Sequence, residues 1–442
     1  MVLAFLTCWS RVGLAQVSTE VTDTELLWMV REVAPMVEEV TGRRFIELPE
    51  VVSADVTDVA QVVFDEQLHL LADSGMSDHE AREHASRTAV ATAPALAGKY
   101  GFLDHKLYLS VDGIETALAI EGKEPWLLRP LLRVVIAHEL THALQDQATD
   151  LDKLVGQASG SDAVMAMNCL VEGHAVWVHE QVGAALELPE AVDVMKDLLG
   201  FDQPIRRRMD PSAFQSIYVY GLGRDFVAYQ AEHGGREQVW RVLADPPDTT
   251  SMIVAPWTWA EDPAPPLDGE QRRILRRASA RLAGHGWRTE ENAMGDYDVR
   301  DQLVRAGADL RIADSLDQGW NTRLVGGAMA GVEVQVLRFT SEEGAHAFVE
   351  GMFHEAEVQA RMVGHDPFIR ADAEDFEVGR HDRGAREAIT VTLMAPEVVD
   401  HLGRVWVARG SDVVQVVLVN APATDRQVRS AIARVFRALD AR

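Results

Sequence analysis

Two histidines four residues apart, with a glutamate directly after the first, stand in the stretch LLRVVIAHELTHALQDQ as His138, Glu139 and His142. On a helix this spacing puts both imidazoles on one face, a turn apart, where they can converge on a common point. Zinc accepts imidazole nitrogen at about 2.0 to 2.1 Å and prefers four tetrahedral ligands, so the pair supplies half of a shell. Glu139 would lie beside that point without ligating, in place to take a proton from water whose pKa the ion has lowered. A random chain of this composition shows the bare pattern on the order of 4% of the time, so the context has to be weighed. The flanking VVIA and ALQ give the helix an apolar face on which two histidines and a glutamate are costly to bury without a partner. By contrast, His79 and His84 in DHEAREH are five residues apart in charged surroundings, which reads as a solvated face.

A catalytic zinc site needs a third protein ligand and one open position. The stretch NCLVEGHAVWVHEQ offers Glu172, an acidic residue in an otherwise apolar run, as the expected third ligand. His174 and His179 compete for that role. His179 lies seven residues from Glu172, on nearly the same face, where it could instead support a ligand from behind. Asp146, four residues past His142, either orients a ligand through a hydrogen bond or faces solvent.

These residues need helices to hold them. Apolar positions Leu26, Met29, Val30, Val33 and Met36 predict a first helix over 23–41, with Gly42 as its cap. RRFIELPEVVSADV reads as strand material, and one or two helices follow, broken near Ser74 and Gly75. The strand in HKLYLSV is either a sheet edge open to an added peptide strand or an interior strand. Pro125 and Pro130 precede the motif helix, and a second long helix begins at Ser161 and Asp162. The proline-rich stretch ADPPDTTSMIVAPWTWAEDPAPP forbids continuous helix and marks a boundary. Beyond it, EQRRILRRASARLAGHGW reads as a basic connecting helix over 269–289. Strands in GVEVQVLRFT, EAITVTLMA, GRVWVARG and DVVQVVLVNA, interleaved with helices, then predict an α+β unit on an antiparallel sheet over 290–442.

With 442 residues and 47% hydrophobic content the chain can bury a large core and hold two to three domains. Its 69 acidic and 42 basic residues give a formal net charge of −27, which repels phosphate backbones and anionic membrane surfaces. Nucleic acid is not an expected partner, and no apolar run is long enough for a membrane span. The opening MVLAFLTCWSRVGLAQ joins an apolar run to a small-residue ending but lacks a positive start; a signal peptide over 1–16, and hence export, is the expectation. Removing it would leave Cys169 as the remaining thiol, too few for a disulfide framework.

AHELTHALQDQ followed by LVEGHA resembles the gluzincin zinc metallopeptidases, the thermolysin-like group with two His and a downstream Glu as ligands. More closely, the chain is similar to a bacterial, often exported gluzincin-like family that also carries a tyrosine-glycine segment, here IYVYGLGRDFVAYQAEHGG, and a double-proline motif, here ADPPDTTSMIVAP. Gly286-Trp287 and Gly319-Trp320-Asn321 match further segments, so the similarity spans roughly residues 25 to 350. The resemblance implies zinc on His138, His142 and Glu172, Glu139 as general base, and Tyr218 as a hydroxyl that stabilises the oxyanion. A core tyrosine with a satisfied hydroxyl is the other reading of Tyr218. Two positions depart from the pattern: Ala255 stands where such proteins commonly have histidine before proline, and Val176 where thermolysin-like enzymes place an aspartate.

The resulting expectation is an α+β protein in two parts. A mostly helical zincin-like metallopeptidase domain with a small sheet spans 20–268, and a smaller α+β domain follows. The expected activity is zinc-dependent hydrolysis of a peptide or protein substrate, with a non-catalytic zinc-bound binding module as the alternative.

Overall fold

Thr22 caps the first helix by accepting a hydrogen bond from the Glu25 amide, and Gly42 ends it in the left-handed region at φ 72°. In the computed structural model this helix, α1, spans Asp23–Thr41, as its periodicity predicts. The structure describes residues 21–440 apart from 73–76, 159, 202–204, 206–208, 260–266, 327–329, 364–375, 383–386, 396–398 and 422. The expected signal peptide over 1–16 and the break at Ser74 and Gly75 lie outside the described residues.

The first part of the chain is helical around a small sheet. After α1 come β1 (Glu50–Ser53), α2 (Val56–Leu70), α3 (Asp78–Thr92), β2 (Gly98–Gly101), β3 (Lys106–Leu109) and α4 (Val111–Ile120). The motif helix α5 (Leu128–Thr149) follows, then α6 (Leu151–Gln157), α7 (Ser161–Ala185), α8 (Pro189–Leu199) and α9 (Pro211–Ser216). A π-helical segment, Ile217–Leu222, leads into α10 (Gly223–Ala244) and α11 (Thr250–Val254).

Helices α5 and α7 are apolar nearly all round, which is the pattern of helices surrounded by protein. They pack on each other, with α1, α8 and α10 around them. The three strands run in the order β1, β3, β2, with β1 parallel and β2 antiparallel to β3. The KLYL strand is therefore interior, paired on both sides, and the open-edge reading of it is corrected. The edge that lies against α5 belongs to β2.

The second part is a wholly antiparallel seven-stranded sheet with helices on both faces. Its elements are α12 (Gly269–Ser279), β4 (Arg288–Met294), α13 (Asp296–Arg305), β5 (Leu316–Val325), β6 (Gly331–Phe339), α14 (Glu342–Val363), β7 (Phe376–Asp382), β8 (Glu387–Ala395), β9 (Val399–Arg409), β10 (Asp412–Val419) and α15 (Asp425–Leu439). The strand order is β4, β5, β6, β10, β9, β8, β7. The basic helix ends at Ser279, earlier than expected, and packs with α15 over β5 and β6 around Leu275, Trp320, Val334, Val416 and Phe436. The opposite sheet face joins the helical part: one apolar cluster runs from Leu26, Leu131 and Leu170 through Val299 and Leu303 to Leu337, Phe348 and Trp406. The chain is thus α+β, mostly helical with two sheets. Among the described residues no helix is long and apolar enough to cross a membrane.

Candidate metal centre

His138 and His142 project from one face of α5 toward α7, whose Glu172 meets them. The Nε2 atoms of the two histidines are 3.2 Å apart. Oε2 of Glu172 lies 3.2 Å from Nε2 of His138 and 3.4 Å from Nε2 of His142. Four tetrahedral ligands at 2.0 to 2.1 Å from zinc are about 3.3 Å from one another, the edge of the tetrahedron. The donor atoms present trace one triangular face of that figure, so the residues fit a zinc-sized ion. The three side chains could hold a metal ion, and three protein ligands are the number a catalytic zinc site uses.

What lies behind the imidazoles supports this reading. The Gln145 amide donates from Nε2 to the Val171 carbonyl at 2.9 Å, which orients its Oε1 toward Nδ1 of His142 at 2.9 Å. Nδ1 of His142 therefore carries the proton and Nε2 keeps its lone pair for a metal. His138 Nδ1 lies 3.2 Å from Nδ1 of the buried His179. If His138 donates there, His179 holds its own proton on Nε2, an atom with no hydrogen-bond partner. Burial disfavours a charged His142, yet the Glu172 carboxylate, with Glu139 and Gln145, outweighs it and raises this histidine to about 9. Burial likewise opposes charge on Glu172, but His142 and His138 hold its carboxyl well below the usual range.

Glu139 is buried next to the triad, and its Oε2 accepts the Tyr100 amide of β2 at 2.7 Å. This N–H points away from β3, because Tyr100 and Leu107 form a non-hydrogen-bonded pair of the antiparallel ladder. Tyr100 is tied to α5 a second time: its hydroxyl donates to Asp146 at 2.8 Å. Asp146 also accepts the Leu151 amide at 3.0 Å. It thus clamps the sheet edge to the motif helix, whereas ligand orientation falls to Gln145. Gly98 makes the close approach possible, since a Cβ there would lie 2.7 Å from Val135 Cγ1 and 3.0 Å from Glu139 Cγ.

No protein-family model and no curated protein matches the chain. Among solved structures, one described as a "putative hydrolase with a novel fold from Chloroflexus aurantiacus" is similar at a TM-score of 0.40 and 19% identity, over 53% of this chain and 87% of that one.

The tyrosine-glycine segment divides its two tyrosines between separate surroundings. Tyr218 is fully buried, packed on Phe214 and Tyr297, and its hydroxyl donates to Asp296, which also receives Arg300 Nε at 2.7 Å. This is the core reading of Tyr218, away from the triad. Tyr220 is the tyrosine that comes to the triad: its ring centroid is 6.5 Å from that of His138. Burial, then the charges of Glu172 and Glu139, keep its phenol protonated far above the ordinary range. The π-helical turn is held to α7 by two glycines. A Cβ on Gly223 would stand 2.1 Å from the Cys169 carbonyl oxygen, and one on Gly173 2.1 Å from the Gly223 carbonyl carbon. His174, the competing ligand, points elsewhere. Its Nδ1 faces Gln145 Nε2 at 3.1 Å, between Trp177 and Trp240, and burial lowers it to about 3.

Proposed function

We propose that the chain is a zinc-dependent metallopeptidase of the gluzincin type, with His138, His142 and Glu172 as ligands. The observation that carries this reading is the triangle of donor atoms with sides of 3.2, 3.2 and 3.4 Å, close to the edge of a zinc tetrahedron. The resemblance of AHELTHALQDQ and LVEGHA to that group supports it. Zinc held there supplies Lewis acidity toward a scissile carbonyl and a lowered water pKa.

The chain's own residues do the rest. Glu139 accepts the proton from the attacking water and delivers it to the leaving amine. Tyr100's amide holds one carboxylate oxygen of Glu139 at 2.7 Å, leaving the other to face water. Tyr220, rather than Tyr218, is the phenol within reach, and its retained proton makes it a donor to the developing oxyanion. Export of the protein belongs to the same reading.

Metal analysis and one isosteric variant test it. The purified chain should carry near-stoichiometric zinc that is lost in His138→Ala. Glu139→Gln should keep the zinc and lose peptide cleavage. A chain whose wild type and Glu139→Gln forms are equally inert on a broad peptide library is a zinc-bound binding module, and one whose zinc survives His138→Ala has no metal site here.

A further inference from the structure

The two helices on the outer face of the seven-stranded sheet, α12 and α15, are basic in an acidic protein. Their sequences, GEQRRILRRAS and DRQVRSAIARVFRAL, hold eight arginines and two acidic residues, in a chain with 69 acidic and 42 basic residues. The apolar sides of both helices are turned to the sheet, through Leu275, Ala278, Val428, Ile432 and Phe436. Gln271 at the start of α12 donates to the Ala438 carbonyl at the end of α15 at 3.4 Å, so the helices lie side by side in one layer. What is left facing outward is arginine. Arg273, Arg276 and Arg277 on α12, Arg281 in the turn after it, and Arg426, Arg429 and Arg437 on α15 are all exposed. From Arg426 to Arg437 the row runs about 16 Å at 1.5 Å per residue, and packed helices lie about 8 to 10 Å apart, so the arginines cover a flat field rather than a point.

Two features set this face apart from an ordinary solvated surface. Elsewhere arginines of this acid-rich chain are held by carboxylates, as Arg43 is by Glu237, Arg133 by Glu32 and Arg338 by Asp412. Here Arg273 and Arg276 have partners in Glu270 and Glu291, but Arg277, Arg281, Arg426 and Arg437 form no ion pair among the described residues. Within α12, moreover, Arg272 with Arg276 and Arg273 with Arg277 stand four apart, the spacing at which like charges destabilise a helix. An anionic surface brought from outside relieves that repulsion.

The face lacks what other anionic partners need. Among the described residues none of the exposed large apolar side chains lies on α12 or α15. It therefore has no apolar centre for a protein interface and no aromatic ring on which a nucleic-acid base could stack. A layer of phospholipid phosphates needs neither: it is flat, and arginine holds a phosphate with two N–H groups at once. The net charge of −27 does not decide the matter, because salt screens charges beyond about 8 Å and the surface in contact dominates. We propose that α12 and α15 dock the protein peripherally on an anionic phospholipid bilayer. The helical part with His138, His142 and Glu172 packs on the opposite face of the sheet, so a docked chain keeps the triad on the side away from the lipid.

Sedimentation of the full chain with phosphatidylglycerol vesicles, beside phosphatidylcholine vesicles, tests this. At about 50 mM salt the chain should pellet with the anionic vesicles alone, and about 500 mM salt should release it. Arg277→Gln, Arg281→Gln, Arg426→Gln and Arg437→Gln together should weaken binding at least about 100-fold with the melting temperature held. Should that variant melt early, Arg426→Gln with Arg437→Gln takes its place, with a loss of about tenfold. Arg31→Gln with Arg82→Gln, also exposed but in the helical part, should leave binding within about twofold. No pelleting with phosphatidylglycerol at low salt, equal binding by the α12 and α15 variants, or binding to a DNA duplex or to polyglutamate in place of the vesicles would overturn the proposal.

Discussion

Gln145 shows how much of the candidate metal centre rests on a residue outside the triad. Its amide reads the Val171 carbonyl with one end and the His142 imidazole with the other. Gln145→Leu should lower zinc affinity by about 10- to 100-fold with the fold intact, measured by competition with a chromophoric chelator. The two tyrosines separate in the same way. Tyr220→Phe should cut kcat on the order of 100-fold with zinc retained. Tyr218→Phe should act on stability, by about 1 to 2 kcal/mol, because Asp296 loses one of its buried donors. Histidine spacing and an acid in an apolar run made His138, Glu139, His142 and Glu172 legible in the sequence. Gln145 and Tyr220 were not. A glutamine in a helix has no chemical signature of its own, and the resemblance pointed to Tyr218, whereas the π-helical turn, which adds a residue to the helical repeat, brings Tyr220 beside His138.

At the scale of elements, the crossing of α7 with the π-helical segment sets where Tyr220 stands. Gly223→Ala would drive a methyl into the Cys169 carbonyl, so the helices must part. It should cost at least about 3 kcal/mol in denaturant unfolding and reduce turnover together with Tyr220's contact. The long helices were readable from periodicity and caps, α1 to the residue. Strands β4 and β5 were not, because RTEENAM and LDQGWNTRLV place polar side chains on a face that the structure covers with α7 and α13, so no apolar alternation marks them. Likewise nothing local distinguishes an interior KLYL from an edge one; that depends on β1, some fifty residues earlier.

Across the whole molecule, acidity has a price in pH response. Burial, with Asp296 nearby, pushes Asp162 up to about 6, and Asp298 rises for similar reasons. Folded chains then bind more protons than unfolded ones, so this contribution to stability is full near pH 4 and is lost as pH rises through about 6. Asp298→Asn should therefore stabilise the protein at pH 7 by on the order of 1 kcal/mol, with the gain shrinking toward pH 5 in paired thermal melts. A gain that is constant between the two values would show that Asp298 is ionised in the fold as it is in the unfolded chain.

The apolar cluster that passes from Leu131 through Leu303 to Phe348 and Trp406 has a consequence for how the chain comes apart. Side chains from before and after the proline-rich stretch fill one another's spaces, so neither part can melt and leave its neighbour's surface dry. Calorimetry should record a single endotherm, its van't Hoff and calorimetric enthalpies close to each other. Two pieces co-expressed as residues 21–259 and 267–440 should associate and unfold together.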